Sequence, residues 1–157
     1  MSDFYRFYQH PKLGWLKIEG TQDAITGINF LDEAPTQPEN SSAVVDEAVK
    51  QLEEYFNGQR KSFELPLAFT GTDFQKSVWE ILQTVPFGAT STYGQIAHQL
   101  NNPKSVRAVG QANGKNPISI VVPCHRIVGS NGKLTGYGGG LWRKKWLLAH
   151  EQTDLFS

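Results

Sequence analysis

The pattern of apolar residues changes near Gly71, and this change constrains the fold more than any other feature of the sequence. Before it come three short runs rich in aromatic and β-branched residues, separated by turn sequences, which predicts a meander of three antiparallel strands. The runs are Phe4–Gln9, Gly14–Gly20 and Ala24–Leu31. A helix follows, because Ser41 or Ser42 can cap a segment of helical apolar spacing that ends at Asn57-Gly58. Residues 1–71 are therefore predicted to form an N-terminal α/β lobe.

After residue 71 the sequence predicts mainly helices, in a second lobe of residues 72–157. The first helix opens with Thr72-Asp73-Phe74-Gln75, which has the form of a capping box. Two short helices are predicted next, at Tyr93–Leu100 and from Pro103 to about Asn113. They are joined by the Asn101-Asn102 turn, which makes the pair a helix-turn-helix candidate.

Three further segments complete the second lobe. The apolar run Ile118–Val122 is expected to be a buried strand. The stretch Gly129–Gly140 is rich in glycine, which indicates either a hairpin wing or close approach of another molecule to the backbone. A last helix is predicted from about Leu141 to His150. The chain is thus predicted to be an α+β protein whose C-terminal lobe is helical and winged-helix-like.

Length and composition exclude several classes of protein. With 157 residues, the chain can form one domain or two small lobes. No stretch approaches the roughly 20 consecutive apolar residues of a membrane-spanning helix, and the N-terminal residues do not have the pattern of a secretory signal. The single cysteine, Cys124, excludes an internal disulfide and favours a reducing cytoplasm.

Charge is unevenly distributed along a chain whose net charge is zero. Up to Gly71 there are 11 acidic and 6 basic residues, whereas from Thr72 onward there are 9 basic and 4 acidic residues. An excess of Lys and Arg is typical of a polyanion-binding half, because these residues supply most phosphate contacts. A solvated surface without such a partner is the alternative.

The segment with the most chemical information is Pro123-Cys124-His125-Arg126. A lone cysteine is most often inert and buried. Imidazole and cationic neighbours, however, favour the thiolate, which is the nucleophilic form. Adjacent side chains of an extended segment point to opposite sides, so His125 reaches Cys124 only if the chain turns there or a water molecule relays the proton. The residues alone therefore predict a candidate cysteine nucleophile.

A cysteine-histidine pair also needs a group that orients the imidazole. Glu151 is the best candidate among the few acids of the second lobe. It ends the apolar segment Leu147-Leu148-Ala149-His150-Glu151, which is expected to pack near the core. A frayed carboxylate at a helix end is the alternative.

The cysteine segment belongs to a longer set of motifs. It extends to Val121-Val122-Pro123-Cys124-His125-Arg126-Ile127-Val128, and four other segments flank it. These are Arg107-Ala108-Val109-Gly110, Asn116-Pro117, Tyr137–Leu141 and Trp146–Glu151. In order and spacing the set resembles the O6-alkylguanine-DNA alkyltransferases, strongly over residues 72–151 and loosely over the first 70.

The resemblance implies a fold, an activity and a partner. The N-terminal lobe would be ribonuclease H-like, and the C-terminal lobe would bind double-stranded DNA through the minor groove. The activity would be DNA repair by irreversible, single-turnover transfer of an alkyl group from O6-alkylguanine, or from O4-alkylthymine, to Cys124. Such a suicide enzyme needs no cofactor and no obligate protein partner.

The resemblance also implies a role for each residue of the site. Cys124 would accept the alkyl group, His125 would act through water as the base, and Glu151 would orient His125. Asn116 would tie the helix-turn-helix to the active-site segment. Tyr93 would lie against the flipped guanine and its phosphate and help to stabilise the leaving guanine anion.

Further residues are implied to contact DNA. Arg107 would enter the base stack in place of the flipped nucleotide, since a stacked guanine cannot reach a protein pocket. The small residues Ala108, Gly110 and Ala112 would let the helix press into the minor groove, or would reflect tight packing inside the protein. Lys104 is also expected to bind DNA. The guanine edge would be read by backbone groups of Cys124, Ile127, Tyr137, Gly138 and Gly139.

Two features depart from the family pattern. Gly138 stands where many relatives have Ser, although a backbone amide can still donate to O6. The Cys and His residues that bind zinc in the N-terminal lobe of some relatives are missing, so no metal is expected. Two other classes stay open: a lesion-binding alkyltransferase-like protein without transfer activity, and a cysteine hydrolase.

Overall fold

The computed structural model describes residues 3–154, in which two compact units follow one another along the chain. The first unit ends at Phe69 and the second begins at Thr70. Within the described residues, no helix is long and apolar enough to cross a membrane.

The first unit is a three-stranded antiparallel sheet with one helix packed on it. The strands are β1 (Phe4–His10), β2 (Gly14–Gly20) and β3 (Ile25–Leu31), with β2 in the centre, and the helix is α1 (Ala43–Phe56). Alternate residues of the strands meet the apolar stripe of the helix. The resulting core contains Leu16, Ile18, Ile28, Val45, Leu52 and Tyr55. The predicted meander and helix are confirmed.

The ends of α1 have the predicted chemistry. The Ser42 hydroxyl accepts a hydrogen bond from the Val45 N–H, which satisfies one of the free donors at the start of the helix. Asn57 ends the helix, and Gly58 follows at a φ of +75°, where glycine is favoured.

The second unit is mainly helical. Its elements are α2 (Asp73–Leu82), β4 (Ser91–Thr92), α3 (Tyr93–Gln99), α4 (Val106–Gly114), β5 (Ile127–Val128) and α5 (Leu141–Asp154). Strands β4 and β5 form a short parallel pair. The predicted capping box at Thr72 is present, and a second one, between Thr92 and Gln95, opens α3.

Helices α3 and α4 form the predicted helix-turn-helix and pack against α2. The turn between them requires a left-handed residue, which Asn101 supplies at a φ of +58°. Pro103–Ser105 form a single 3₁₀ turn, and the α-helix proper begins at Val106. The Trp79 indole N–H of α2 donates to the Ala112 carbonyl of α4 at 2.9 Å, which fixes the register of the two helices.

The predicted strand at Ile118–Val122 is wrong. This segment is buried, as expected, but it forms a tight loop in which the Val122 N–H donates to the Ile118 carbonyl at 3.0 Å. Ile120 adopts a φ of +73°, a conformation that a β-branched residue rarely takes and that no strand contains. The last helix also differs, because it runs to Asp154 rather than to His150. Residues 129–140 contain turns and no strand.

Candidate active site

The loop between α4 and β5 brings Cys124 into the protein interior. Cys124 begins a single 3₁₀ turn, Cys124–Arg126, and is 4% exposed. The Asn116 amide nitrogen donates to the Val122 carbonyl at 2.8 Å and to the Cys124 sulfur at 3.1 Å. The Asn116 amide oxygen accepts from the Ile118 N–H at 3.0 Å. One buried amide side chain therefore holds the loop in shape and also contacts the sulfur.

His125 turns away from the solvent and meets the end of α5. Its Nε2 lies 2.7 Å from Oε2 of Glu151, and both side chains are almost fully buried. Arg126 donates two hydrogen bonds to the same carboxylate, with Nε 2.8 Å from Oε1 and Nη2 3.0 Å from Oε2. The Arg126 Nη1 also donates to the Val85 carbonyl at 2.7 Å. Glu151 is therefore part of the core, and the alternative of a frayed carboxylate is wrong.

The carboxylate decides which nitrogen of His125 carries the proton. Because Glu151 accepts a hydrogen bond at Nε2, the neutral imidazole keeps its lone pair on Nδ1. Nδ1 is buried and makes no hydrogen bond with the part of the chain that the structure describes. An imidazole in this state can accept a proton at Nδ1, while the carboxylate stabilises the positive charge that results.

Burial and local charges shift the acid–base properties of all three groups. Burial raises the pKa of the Cys124 thiol to about 11, against the opposing effects of the Asn116 hydrogen bond and the Lys144 charge. Burial also lowers the pKa of His125, although Glu151 opposes this. Burial alone would raise the pKa of Glu151, but the hydrogen bonds and charges of His125 and Arg126 lower it below its usual range. At neutral pH the resting site thus holds a thiol, a neutral imidazole and a carboxylate.

The glycine-rich stretch lies against the helix-turn-helix. The Tyr93 hydroxyl, at the start of α3, is 2.6 Å from the Thr135 hydroxyl. A Cβ at Gly110 would lie 3.8 Å from the Tyr93 ring, and one at Gly138 would meet the Gly114 carbonyl oxygen at 3.7 Å. Both are ordinary contact distances, so the fold does not require glycine at position 138.

Apart from Tyr93 in α3, the residues predicted to contact DNA lie on two faces of α4 and in the 3₁₀ turn that precedes it. Lys104, Arg107 and Ala108 are exposed, and Gly110 is half-buried. Ala112 is 2% exposed and faces the interior, so its small size reflects helix packing and not a DNA contact. Of the groups predicted to read the base, the Ile127 carbonyl already accepts a hydrogen bond from Lys144 at 2.6 Å.

Three side chains of the site were not among the predicted site residues. Arg126 was considered only as a cation near the thiol, and Asn113, whose amide donates to the Cys124 carbonyl at 3.4 Å, was taken as a helix end. Lys144 is fully buried and stands three and seven residues before the buried Leu147 and Glu151. That spacing places all three on one face of a helix, and it is the signal that marks Lys144 as an inward-facing base. No group of three or more His, Cys, Asp or Glu side chains within residues 3–154 could hold a metal ion.

A buried cysteine next to a histidine that is held on a carboxylate, in a unit that contains a helix-turn-helix, is what we expect of a DNA-binding protein with its own nucleophile. Comparison with known proteins agrees with this class. Residues 4–69 match the ribonuclease-like domain, and residues 73–153 the DNA binding domain, of 6-O-methylguanine DNA methyltransferase.

Full-length relatives and solved structures give the same result. A methylated-DNA–protein-cysteine methyltransferase of Methanosarcina acetivorans is 46% identical over 94% of this chain and 97% of its own. One of Mycolicibacterium paratuberculosis is 47% identical over 94% and 92%. The crystal structure of Mycobacterium tuberculosis OGT in complex with DNA is 44% identical, with a TM-score of 0.86 over 96% of this chain and 93% of that one.

The chain therefore belongs to the 6-O-methylguanine DNA methyltransferase family, as its motifs predicted, and its activity is DNA repair by alkyl transfer to a cysteine. The predicted α+β fold is confirmed by the same structural match.

Proposed function

We propose that Cys124 accepts one alkyl group per molecule from O6-alkylguanine in double-stranded DNA. The observation that carries this proposal is the buried set of Cys124, His125 and Glu151, in which the imidazole next to the only cysteine is fixed on a carboxylate at 2.7 Å. Family membership limits the chemistry to alkyl transfer from DNA to a cysteine. Since the sequence contains a single cysteine, Cys124 is the residue that can accept the alkyl group.

The proposed reaction is a displacement at the alkyl carbon. The thiol proton leaves through a bridging water molecule toward Nδ1 of His125, and the sulfur forms a bond to carbon while the bond from carbon to O6 breaks. Glu151, which Arg126 keeps ionised, stabilises the imidazolium. Guanine leaves as an anion, to which the Tyr93 hydroxyl donates a hydrogen bond, and it then recovers a proton from the imidazolium through solvent. The thioether product contains no group that water can displace, so the molecule acts once.

The exposed face of α4 is the proposed contact with the minor groove. Arg107 and Ala108 lie on this face, and Lys104 precedes it, so a long cation, a small side chain and a phosphate-binding base are available together. Arg107 would fill the gap that the extruded guanine leaves, which offsets part of the few kcal/mol that unstacking costs. The guanine edge would be read by the Cys124 carbonyl and by backbone amides of Tyr137, Gly138 and Gly139.

We assign DNA binding and transfer to the second unit, taken as residues 72–157, because the hydrogen bonds described above for Asn116, His125 and Arg126 join residues of that unit. Because its substrate is DNA, we propose that the protein works in the cytoplasm and is associated with the nucleoid if the source is prokaryotic.

The two other classes explain fewer of the observations. A lesion-binding protein without transfer activity replaces the nucleophile, whereas Cys124 is present here and contacts Asn116. A cysteine hydrolase of amides or esters needs no DNA-binding unit, whereas residues 73–153 of this chain match a DNA binding domain.

The experiment is intact-mass analysis after incubation with a duplex that contains one O6-methylguanine. Wild-type protein should gain one CH₂ group on the peptide that contains Cys124, and it should do so once per molecule. The variant Cys124→Ser should bind the same duplex and gain nothing, because a hydroxyl is a far poorer nucleophile than a thiolate at neutral pH. An unmodified duplex is the control. A mass gain on another residue, or repeated turnover, would contradict the proposal.

A further inference from the structure

Lys144 is a buried base that the proposed reaction does not use. Its side chain is 0% exposed, and its ammonium donates to the Ile127 carbonyl at 2.6 Å and to the Thr135 carbonyl at 3.0 Å. It forms no salt bridge with an acidic residue anywhere in the described chain. Burying a cation against two neutral carbonyls lowers the free energy of unfolding. Buried charges of this kind are often retained because they have a role in function.

The two carbonyls belong to the two segments that must meet around the alkyl group. Ile127 directly follows the 3₁₀ turn that carries Cys124 and His125. Thr135 lies in the glycine-rich stretch, and its hydroxyl pairs with the Tyr93 hydroxyl at 2.6 Å. The Lys144 ammonium therefore connects the Cys124–Arg126 turn (the nucleophile turn) to the glycine-rich stretch and, through Thr135, to the start of α3.

The preceding residue of α5 holds the same stretch at a second point. The Arg143 Nη1 donates to the Gly139 carbonyl at 3.0 Å, and the Arg143 side chain is itself 6% exposed. Two consecutive bases of α5 thus fix Thr135 and Gly139, on either side of Tyr137 and Gly138. The segment that would read the guanine is anchored at both ends by α5.

The charge of Lys144 acts on the reacting sulfur as well. The ammonium and a Cys124 thiolate favour each other electrostatically, so that each stabilises the charged form of the other. In a buried site this attraction is screened less than it would be in water.

We propose that Lys144 is a positioning residue for alkyl transfer, which fixes the glycine-rich stretch against the nucleophile turn and supplies a positive charge to the Cys124 thiolate. The first role rests on the proposed function, because it matters only if this stretch reads the alkylated base. The second is a property of the free protein and is measured without DNA.

The test compares Lys144→Met with Lys145→Met. Lys145 is the next residue of α5 and is exposed, so the control removes the same charge from the surface of the same helix. Because the chain has a single cysteine, ¹³C labelling of the cysteine Cβ gives one NMR signal, whose titration reports Cys124 directly. The titratable side chains of Tyr137 and His125 are buried in the same region. Neither is substituted in the two variants, so a difference in the cysteine titration is due to the lysine that was replaced.

In Lys144→Met the cysteine titration should move upward by about one pH unit, and transfer from an O6-methylguanine duplex at pH 7 should slow about tenfold. Lys145→Met should match the wild type in both measurements. Hydrogen exchange at Gly138 and Gly139 should be faster in Lys144→Met, because the stretch has lost one anchor. Lys144→Gln, which keeps a donor without the charge, should restore the protection of these amides and leave the titration shifted.

An unshifted titration in Lys144→Met, with transfer within twofold of the wild type, would overturn the proposal. So would a lower melting temperature without a change in the titration, since that is the result of a purely structural role. Lys144→Arg decides the case if Lys144→Met does not fold: it keeps the charge and should titrate as the wild type does, and a shifted titration there would also overturn the proposal. Absence of transfer by the wild type would refute the proposed function and leave the titration result standing.

Discussion

Replacing Glu151 by Gln tests the centre of the site. The carboxylate accepts hydrogen bonds from His125 Nε2 at 2.7 Å and from Arg126 Nε and Nη2 at 2.8 and 3.0 Å, and it is 1% exposed. An amide of nearly the same shape removes the negative charge and leaves the Arg126 guanidinium buried without a counterion. Breaking one partner out of a buried ion pair costs about 3–5 kcal/mol, so the free energy of unfolding should fall by that amount.

The effect on transfer has a different origin from the effect on stability. An amide stabilises the imidazolium poorly, and its NH₂ group can hold His125 in the wrong tautomer. Loss of a general base in this way is worth roughly 10²–10⁴ in rate. DNA binding should change little, because Glu151 lies in the core and not on the exposed face of α4.

A second substitution separates the two effects. In Glu151→Gln combined with Arg126→Met, the unpaired charge is gone, so most of the lost stability should return while transfer stays slow. Rates come from intact mass, binding from fluorescence anisotropy of a labelled duplex, and stability from urea unfolding. Glu80→Gln, at an exposed position of α2, is the matched control. Transfer by Glu151→Gln at the wild-type rate would show that His125 needs no orienting group, and the reasoning would fail.

Two further predictions address DNA and pH. Arg107→Ala should slow transfer from a duplex markedly and leave the reaction with free O6-alkylguanine base nearly unchanged, because a free base needs no extrusion; equal losses on both substrates, in parallel rate measurements, would contradict the flipping role. The pKa of Cys124 is raised from 9.0 to about 11 by burial, so its contribution to stability is present below pH 9 and is lost as pH rises toward 11. Unfolding measured across that range should show the wild type losing about 3 kcal/mol relative to Cys124→Ser; parallel curves for the two proteins would refute the burial argument.

Local signals in the sequence were enough to predict the helix ends and the order of the elements. A capping box needs only two side chains a turn apart, so the pattern at Thr72 and Gln75 specifies the start of α2 whatever packs around it. Glu151 could be predicted because it follows an apolar helical segment, and such a segment carries its last residues into the core.

The parts that could not be predicted depend on tertiary contacts. The run Ile118–Val122 is apolar because it is buried, but burial does not distinguish a strand from a loop. The left-handed Ile120 is held by the surrounding loop, in which Asn116 binds the backbone at Ile118 and Val122. For Ala112, small size had two explanations, and only the structure shows that the residue faces inward. Lysine is ordinarily exposed, and this general tendency concealed Lys144 although its spacing from Leu147 and Glu151 places it on the buried face of α5.

The burial of Cys124 also protects the protein from its own reactivity. A thiol with a pKa of 9.0 is about 1% thiolate at pH 7, whereas one with a pKa of about 11 is about 0.01% thiolate. Peroxides and soluble electrophiles react with the thiolate and need access to it, and this sulfur offers neither until a substrate enters the site. Oxidation or alkylation of Cys124 by another reagent would inactivate a protein that uses its cysteine once. The closed resting site therefore reserves the cysteine for DNA and should make the folded protein about a hundredfold less sensitive to such reagents than its unfolded chain.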